Sequence, residues 1–292
     1  MLLNASGCLD ALAAPEVALQ LDAYVTKTVT PDPREGNPPV RIVETDTGML
    51  NSIGLANPGI DGFLAETLPR LAELGVPIWV SVGGFSAAEY AETCALLDGC
   101  DEVATVELNL SCPNVDAAAG SVLEIVGAAR ARVRKPLYVK LSPAVPDIAE
   151  TARAAQAAGA DGLSLVNTIR GLAFDRSLRP VLAYSTGGIS GPALRHVALA
   201  ACFAAYAATE LPIVGMGGVY SGRHALELVA AGASAVALGT VLFADPDAPA
   251  RVRRELQVEL DELGLDSVGA VRGLAHAGGV LANGVAGSAG RV

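Results

Sequence analysis

Eight short β-rich runs, most of them followed by a stretch of helical periodicity, constrain the fold of this chain most. The runs lie near 2–6, 23–28, 77–82, 103–109, 136–141, 162–166, 212–216 and 234–239. The amphipathic stretches are Ala87–Leu97, Val122–Val133, Asp147–Ala157, Pro192–Ala207 and Arg223–Ala230, with Pro249–Glu262 after the last run. Eight parallel strands wrapped by helices predict an α/β fold, a (β/α)8 TIM barrel.

The chain length fits one such domain. A single barrel needs roughly 250 residues, and no Ser/Gly/Pro linker divides these 292 residues. Half of the residues are apolar, so a large core can form without disulfides or metal. We expect a barrel domain at 1–275 and a mobile Gly/Ala-rich tail at 276–292.

Charge and hydropathy exclude some partners. The net charge is −11, and the basic residues are scattered, so nucleic acid and anionic membrane surfaces are disfavoured. No apolar run reaches the roughly 18–20 residues of a spanning helix, and the N-terminus lacks a signal peptide. We expect a cytoplasmic protein.

The number and spacing of the cysteine and histidine residues do not favour a metal site. The five cysteines form no zinc or iron–sulfur spacing, and only three histidines are present. We therefore expect reduced thiols and no metal site. Acid/base chemistry would fall to a thiol or a lysine.

Polar residues stand at or just past the carboxyl end of almost every predicted strand. They are Ser6, Lys27, Ser81, Asn109, Lys140, Asn167, Gly217, Gly218, Gly239 and Thr240. In a (β/α)8 barrel this end carries the active site. Both lysines follow apolar residues, where a charge is costly unless a ligand meets it. We interpret Lys27 and Lys140 as ligand-facing, because a salt-bridging lysine would more plausibly lie on a helix surface.

Glycine clusters near the last strands indicate a phosphate site. Gly215–Gly218 follows the seventh strand and Gly239-Thr240 the eighth. Gly187–Gly191, which we expect to open the helix near Pro192, would offer further backbone N–H groups. A phosphorylated ligand or cofactor is implied.

The segment Asn109-Leu110-Ser111-Cys112-Pro113-Asn114 has the composition of an active-site loop. It follows a buried strand, and Pro113 ends the strand ladder. Cys112 lies between two amide residues at that exit, which favours a reactive thiol over a core residue.

Together these residues resemble the class 1 dihydroorotate dehydrogenases, flavin enzymes of pyrimidine synthesis built on a (β/α)8 barrel. The resemblance covers nearly the whole chain. Its most specific motifs are Asn51-Ser52-Ile53-Gly54-Leu55 and the Asn109–Asn114 loop. The other segments that carry it are Ala5-Ser6-Gly7, Thr26-Lys27-Thr28, Val139-Lys140-Leu141, Val166-Asn167-Thr168, Gly187–Gly191, Gly217-Gly218 and Gly239-Thr240.

The resemblance implies the oxidation of dihydroorotate to orotate. Cys112 would take the proton from C5, while hydride leaves C6 for FMN. Lys140 would stabilise the charge that develops near N1 and O2 of the flavin. Lys27 would lie between the flavin and the substrate carboxylate.

The same resemblance implies two sets of binding residues. Substrate would be bound by Lys27, Asn51, Ile53, Gly54, Leu55, Asn109, Asn114, Asn167 and Thr168. FMN would be bound by Ser6, Lys27, Thr28, Ser81, Asn109, Lys140, Val166, Gly191, Gly217, Gly218, Gly239 and Thr240. Amide side chains suit a pyrimidine ring because they offer both donors and an acceptor.

The chain departs from the family in three places. It begins almost at the first strand, so we expect the bottom of the barrel to be exposed. Cys8-Leu9-Asp10 replaces a glycine-rich turn, and Ser81 replaces an asparagine, so its cofactor hydrogen bond would reach less far or run through water. The loop Val115–Gly120 differs in composition, and Gly120 could act as a lid hinge.

Segments 166–175 and 179–182 look more like the NAD-linked (class 1B) catalytic subunit than like the fumarate-linked homodimer. That type would form a homodimer and receive an FAD and iron–sulfur subunit, since this chain has no cluster spacing. A small acceptor such as fumarate is the alternative.

Three other functions remain open on the sequence. One is a dihydropyrimidine-type flavin oxidoreductase without a carboxylate anchor. Another is an aldolase-type barrel with Lys140 as Schiff base, which would be colourless. The third is a non-catalytic FMN-binding subunit, which would show no turnover dependent on Cys112.

Overall fold

The structure, a computed structural model, describes residues 1–110 and 119–277. Its strands are β1 (Leu2–Asn4), β2 (Tyr24–Val25), β3 (Ile42–Thr45), β4 (Gly48–Asn51), β5 (Ile78–Val82), β6 (Val103–Asn109), β7 (Leu137–Leu141), β8 (Gly162–Leu165), β9 (Ile169–Leu172), β10 (Thr186–Ser190), β11 (Ile213–Met216) and β12 (Ala235–Leu238).

Helices follow most of the barrel strands. They are α1 (Pro15–Ala18), α2 (Gly59–Gly62), α3 (Leu68–Ala72), α4 (Ala87–Asp98), α5 (Ala119–Arg130), α6 (Ile148–Ala157), α7 (Arg195–Ala208), α8 (Gly222–Ala230), α9 (Val241–Ala244), α10 (Ala248–Leu263) and α11 (Val268–Val271). A π-helical turn spans Phe63–Thr67, and 3-10 turns span Pro192–Leu194 and Leu274–His276. Side-chain caps begin three of the predicted helices, at Ser86, Asp147 and Ser221.

Eight parallel strands form the barrel, in the order β1-β12-β11-β8-β7-β6-β5-β2. A parallel bridge between Leu3 and Ala23 joins the first strand to the second and closes the sheet. All eight coincide with the β-rich runs of the sequence, so the prediction of a (β/α)8 TIM barrel is confirmed. The carboxyl ends of the strands therefore meet at one rim.

Apolar side chains fill the inside of the barrel near its amino-terminal end. Leu3, Val25, Trp79 and Val214 belong to one buried cluster there. The Trp79 and Tyr138 rings contact each other, with centroids 4.6 Å apart. Trp79 is only 6% exposed, whereas Tyr138 is partly exposed. The lower interior is a packed core, as small barrels require.

A second, antiparallel sheet was not predicted. It has the order β3-β4-β10-β9 and joins two insertions, one after β2 and one after β8. Its residues Asn51, Ile169 and Gly187 line a cavity at the carboxyl ends of the barrel strands. The accessory sheet, as we call it, therefore covers part of the barrel mouth.

The carboxyl-terminal end of the described chain packs back onto the barrel. His276 stacks on Phe203 with ring centroids 3.8 Å apart, and it also contacts Tyr206. His276, which the sequence placed in the tail, thus belongs to the folded part. The tail from 278 to 292 lies outside the described residues.

None of the helices within 1–110 and 119–277 has the length and apolar character needed to cross a membrane.

Candidate active site

Two adjoining cavities open at the carboxyl ends of the barrel strands. The larger, of about 1130 Å³, is lined by amide side chains and is called the amide lobe. The smaller, of about 280 Å³, is lined by glycine turns and is called the glycine lobe. Residues that line both cavities are Ser6, Cys8, Lys140, Asn167, Thr168 and Ser190. The two lobes are therefore parts of one site.

The lining of both lobes is free of acidic side chains among the described residues. Lys27, Arg34, Lys140 and Arg170 line the amide lobe. The whole chain has 31 acidic and 20 basic residues, so this local excess of positive charge runs against the composition. A cavity of this kind favours anionic ligands.

Hydrogen bonds connect four predicted site residues across neighbouring strands. The Asn109 amide donates to Thr28 Oγ1 at 3.1 Å, and the Asn167 amide donates to Asn109 Oδ1 at 3.0 Å. Asn167 Oδ1 accepts from the Thr168 backbone N–H at 2.8 Å. Tyr90 fixes the end of β6 by donating to the Asn109 carbonyl at 2.7 Å. The amide groups are thus held in fixed orientations.

Ser6 lines the cavity, but Ser81 does not. The Ser6 hydroxyl donates to the Thr26 carbonyl at 2.8 Å and lies 3.3 Å from Thr28 Oγ1. Ser81 is fully buried, and its Oγ lies 3.0 Å from Thr28 Oγ1. The cofactor contact predicted for Ser81 is therefore not direct in this geometry. Ser81 supports Thr28 instead.

The segment Asn51–Leu55 forms one wall of the amide lobe, as the sequence predicted. Asn51 donates weakly to the Gly188 carbonyl at 3.4 Å. Gly54 adopts φ +74°, and a Cβ there would lie 2.3 Å from the Asn37 side chain, so only glycine fits. Ile53, Gly54 and Leu55 all reach the cavity.

Lys140 has a partner that the sequence analysis missed. Its Nζ donates to Glu107 Oε1 at 2.8 Å, and the two side chains are 5% and 1% exposed. The prediction that Lys140 makes no salt bridge is wrong, because the barrel interior supplies a carboxylate on the neighbouring strand. Lys140 still lines both lobes.

Lys27 also lies in the amide lobe, as predicted. Its side chain passes close to Gly7, where a Cβ would be 3.1 Å from Lys27 Cδ. Gly7 has φ +77°, so the turn itself also favours glycine.

The glycine lobe brings together the turns that follow the last strands. Gly191, Gly217, Gly218, Gly239 and Thr240 line it, together with Val166. Thr240 Oγ1 donates to Ser190 Oγ at 2.9 Å. Gly191, Gly217 and Gly218 have positive φ angles, which turn bare backbone groups towards a ligand.

The prediction that Gly187–Gly191 opens a helix is wrong for most of that segment. Gly187 and Gly188 lie in β10 and pair with β9 and β4. They line the amide lobe rather than the glycine lobe. Only Gly191 stands next to the turn that begins at Pro192.

Arg195 supports the Gly217-Gly218 turn from behind. A Cβ on Gly218 would lie 2.9 Å from the Arg195 backbone nitrogen. The Arg195 guanidinium is 2.8 Å from Glu227 Oε2 and donates to His224 Nε2 at 2.9 Å. Burial, followed by the Arg195 charge, lowers the pKa of His224. A neutral ring is consistent with Nε2 accepting from arginine.

Cys8 is a thiol on the boundary of the two lobes. Burial raises its pKa to about 11, although the charges of Lys140 and Lys27 act to lower it. Cys8 is therefore a protonated thiol at neutral pH, which makes it a poor base there.

The predicted base and one predicted substrate ligand belong to the segment that follows β6. Cys112 and Asn114 lie outside the described residues, and so does most of the Val115–Gly120 loop. The structure does show that β6 leads to that loop at the rim of the amide lobe, through Asn109 and Leu110.

The described residues fit an FMN molecule. The glycine turns offer backbone N–H groups and the Thr240 hydroxyl to a phosphate, without an acidic neighbour in the lining. Lys140 stands at the junction of the lobes, where a ring that spans both would lie. The amide lobe leaves room beside that ring for a second, smaller molecule.

The sequence analysis assigned no role in the site to Cys8, Arg34 and Arg170, which line the cavity, or to Glu107, which contacts Lys140. The Arg34 guanidinium lies 4.9 Å from the Phe85 ring centroid, and its Nε donates to the Gly54 carbonyl at 3.3 Å. Glu107 carried a usable signal, because strand alternation places it on the same face as Asn109. Arg34 and Arg170 carried no such sequence signal, because both lie in insertions that the sequence did not predict.

Comparisons with known proteins agree with the site. A family model for dihydroorotate dehydrogenase matches residues 1–260. The dihydroorotate dehydrogenase B (NAD(+)) catalytic subunit of Desulforudis audaxviator is 45% identical over 264 residues, covering 88% of this chain and 86% of the relative. The subunit of that name from Geobacter sp. (strain M21) is 44% identical over 261 residues, covering 87% and 86%.

The fold also has a solved counterpart. The crystal structure of the Eimeria tenella dihydroorotate dehydrogenase in complex with ferulenol matches with a TM-score of 0.81. The match covers 94% of this chain and 85% of that chain, at 24% identity. It supports the barrel architecture independently of the sequence motifs.

Proposed function

The chain belongs to the dihydroorotate dehydrogenase family, and from this membership we propose how its residues carry out the reaction. It is an FMN-dependent oxidoreductase that converts dihydroorotate to orotate in pyrimidine biosynthesis. The observation that carries the proposal is the cavity whose glycine lobe and amide lobe meet at Lys140 and whose lining, among the described residues, contains no acidic side chain.

The proposed reaction divides the work between a thiol and the cofactor. FMN, when bound, supplies the acceptor for the hydride that leaves C6 of the substrate. Cys112 takes the proton from C5 as a general base. Asn51, Asn109 and Asn167, with Asn114 from the loop, hold the pyrimidine ring by hydrogen bonds. The fixed amide orientations in the amide lobe support this arrangement.

Positive charge around the amide lobe favours a substrate that carries a carboxylate. We assign Lys27, Thr168 and the backbone of Ile53–Leu55 to the bound substrate, and Arg34 and Arg170 to its attraction. A dihydropyrimidine without a carboxylate would gain less from this positive charge. This observation favours dihydroorotate over the dihydropyrimidine alternative.

The cofactor residues proposed from the family fall into three groups. Ser6, Thr28 and Asn109, supported by Ser81, would contact one edge of the ring system. Lys140 and Lys27 would lie beside the ring, and Val166 would pack against it. Gly191, Gly217, Gly218, Gly239 and Thr240 would bind the phosphate.

The relatives named above are catalytic subunits of an NAD-linked enzyme, so electrons must leave through another polypeptide. We propose a partner subunit that carries FAD and an iron–sulfur cluster. It would bind beside the cavity, because electron transfer requires the two cofactors to approach closely. Tyr220 and Phe243 line the cavity and are 49% and 55% exposed, which suits an interface there.

A different surface suits a second copy of the chain. On and beside the accessory sheet, Leu172, Phe174 and Leu178 are 45%, 57% and 80% exposed. We propose that this surface, the Leu172–Leu178 surface, forms a homodimer interface. The described cysteines Cys8, Cys94, Cys100 and Cys202 are free, which suits the cytoplasm as compartment.

The function is tested first by spectroscopy. The purified protein should be yellow, or should become yellow with added FMN, and dihydroorotate should bleach the flavin absorption in the absence of oxygen. A colourless protein that does not take up FMN would contradict the function. Bleaching by a dihydropyrimidine but not by dihydroorotate would favour the alternative substrate.

The role of Cys112 is tested by Cys112→Ala. We expect flavin reduction by dihydroorotate to slow by about 10²–10⁴-fold, because a general base contributes that much, while orotate still binds. Cys100→Ala is the matched control, since Cys100 is a half-buried thiol outside both lobes. Equal reduction rates in Cys112→Ala and wild type would remove Cys112 from its role.

A further inference from the structure

The buried pair of Glu107 and Lys140 lies directly under the junction of the two lobes. Glu107 is 1% exposed and lines neither cavity, whereas Lys140 lines both. Residue Asn109, two positions after Glu107, aligns with Lys140 in the β6–β7 ladder. Strand alternation therefore points the side chains of Glu107 and Lys140 towards the barrel interior.

A polar side chain near this pair makes no hydrogen bond among the described residues. Ser164 aligns with Lys140 in the next ladder. Its hydroxyl is buried and has no hydrogen-bond partner among the described residues. The 2.8 Å contact to Glu107 therefore restrains the Lys140 ammonium from below. Lys140 also lines both lobes, so the same ammonium borders the cavity.

A buried ion pair acts on its surroundings differently from a lone ammonium. A lone ammonium at this position would strongly stabilise negative charge on any ring placed over it. Glu107, held 2.8 Å from that ammonium, makes the net charge of the pair zero and opposes the stabilisation. The carboxylate therefore reduces the attraction that Lys140 exerts on negative charge.

We propose that Glu107 is a positioning residue that holds the Lys140 ammonium at the lobe junction and limits how readily the bound cofactor accepts negative charge. The proposal rests on the function proposed above. A cofactor whose reduced form is less stabilised is a stronger electron donor. This property suits a chain whose relatives pass electrons to NAD.

The test measures the midpoint potential of bound FMN by chemical reduction, so that dihydroorotate is not needed. Glu107→Gln preserves shape and removes the charge, and we expect the potential to become more positive. Sulfite, which forms a negatively charged flavin adduct, should bind about tenfold more tightly or better, as expected from one unscreened buried charge. Glu107→Asp keeps the charge and should remain close to wild type.

Two further variants separate charge from packing. Asp161→Asn removes a carboxylate from the 2.7 Å pair with Arg130, next to the amino-terminal end of β8, and should leave the potential unchanged. Glu107→Gln combined with Lys140→Gln restores zero net charge and should return the potential towards wild type. Removing both partners of a buried pair is also better tolerated than removing one, so this variant covers a failure of the single change to fold.

The outcomes are distinguishable from those of the function itself. An unchanged potential and sulfite affinity in Glu107→Gln, or a double variant that shifts as far as the single one, would overturn the role of Glu107 alone. A wild-type flavoprotein that ignores dihydroorotate would overturn the proposed function alone. A chain that binds no FMN would overturn both.

Discussion

At the scale of single residues, the chemistry of Cys8 is decided by its surroundings. It stands on the boundary of the two lobes, near Lys27 and Lys140, yet burial raises its pKa to about 11. The desolvation of a thiolate here exceeds the attraction of two ammonium groups. A second thiol can therefore border the site without competing with the base that we propose at Cys112.

The protonation of Cys8 can be measured by alkylation of the apoprotein with iodoacetamide. Because only the thiolate reacts, labelling of Cys8 should be slow at pH 7.5. As the pH is raised towards the pKa of Cys8, the labelling rate should increase about tenfold per pH unit. FMN should protect Cys8, which lines the cavity, but not Cys100, which does not. Mass spectrometry of tryptic peptides would give both rates. Fast labelling at pH 7.5, or equal labelling with and without FMN, would contradict this assignment.

The residues of the site differ in how well the sequence predicts them. Lys140, Asn109 and Asn167 were predictable because they end strands, and parallel strands end at one rim. The pairing of Lys140 with Glu107 was not, since it depends on the register between β6 and β7. The sequence does not predict the contacts of site residues when those contacts depend on how neighbouring strands align.

At the scale of elements, the turns after β10, β11 and β12 define the glycine lobe. Gly217 and Gly218 have φ angles of +124° and +68° and lie against α7 and its preceding turn. A side chain on Gly218 would meet the Arg195 backbone nitrogen and the Gly191 carbonyl, each at 2.9 Å. Both contacts are to backbone, so the turn cannot adapt by moving a flexible side chain.

Gly218→Ala should therefore weaken FMN binding by at least about tenfold, through the cost of a positive φ angle and the displacement of the turn. Fluorescence titration of the apoprotein with FMN gives the dissociation constant. Gly127→Ala in α5 is the matched control, since a Cβ there would meet nothing within 4 Å. An unchanged affinity in Gly218→Ala would show that the turn does not bind the phosphate.

The accessory sheet was not predictable from local patterns. Its strands have four or five residues, and their faces are mostly half-exposed, so the apolar alternation that marks a strand is weak. The hydrogen bond from Asn51 to Gly188 joins residues 137 positions apart in the chain. Gly187 and Gly188 also have the composition of a turn, although they lie in a strand.

At the scale of the whole molecule, two exposed surfaces differ in their relation to the cavity. Tyr220 and Phe243 border it, whereas Phe174 and Leu178 lie on the outer part of the accessory-sheet insertion and line neither lobe. A subunit that receives electrons needs the first surface, and a second copy of the chain can use the second. The two proposed interfaces can thus be occupied together.

The homodimer is tested by Leu178→Glu, which places a charge in the Leu172–Leu178 surface. We expect light scattering to change from a dimer to a monomer, because an unpaired charge in an apolar interface is costly. Leu263→Glu is the matched control, since Leu263 is 46% exposed at the end of α10, away from that surface. A monomeric wild type, or a Leu178→Glu variant that stays dimeric, would contradict the proposed interface.

The barrel itself was predictable from the sequence because each of its strands is a local apolar run. Strands such as Ile78–Val82 and Leu137–Leu141 are buried almost throughout, so they read as continuous apolar segments. The number of such runs, together with the helices between them, indicated a (β/α)8 barrel. What the runs did not indicate was how the lower interior is filled.

The contacting rings of Trp79 and Tyr138, which are tilted by 48° to each other, have a consequence for the order of events in turnover. Because side chains fill the barrel below Lys140, ligands reach the two lobes of the described structure from the rim. Dihydroorotate then enters, and orotate leaves, past the same rim beside which we propose that the partner subunit binds. The substrate and the electron acceptor would then bind at that rim one after the other. The steady-state kinetics should therefore follow a ping-pong pattern, with parallel lines in double-reciprocal plots.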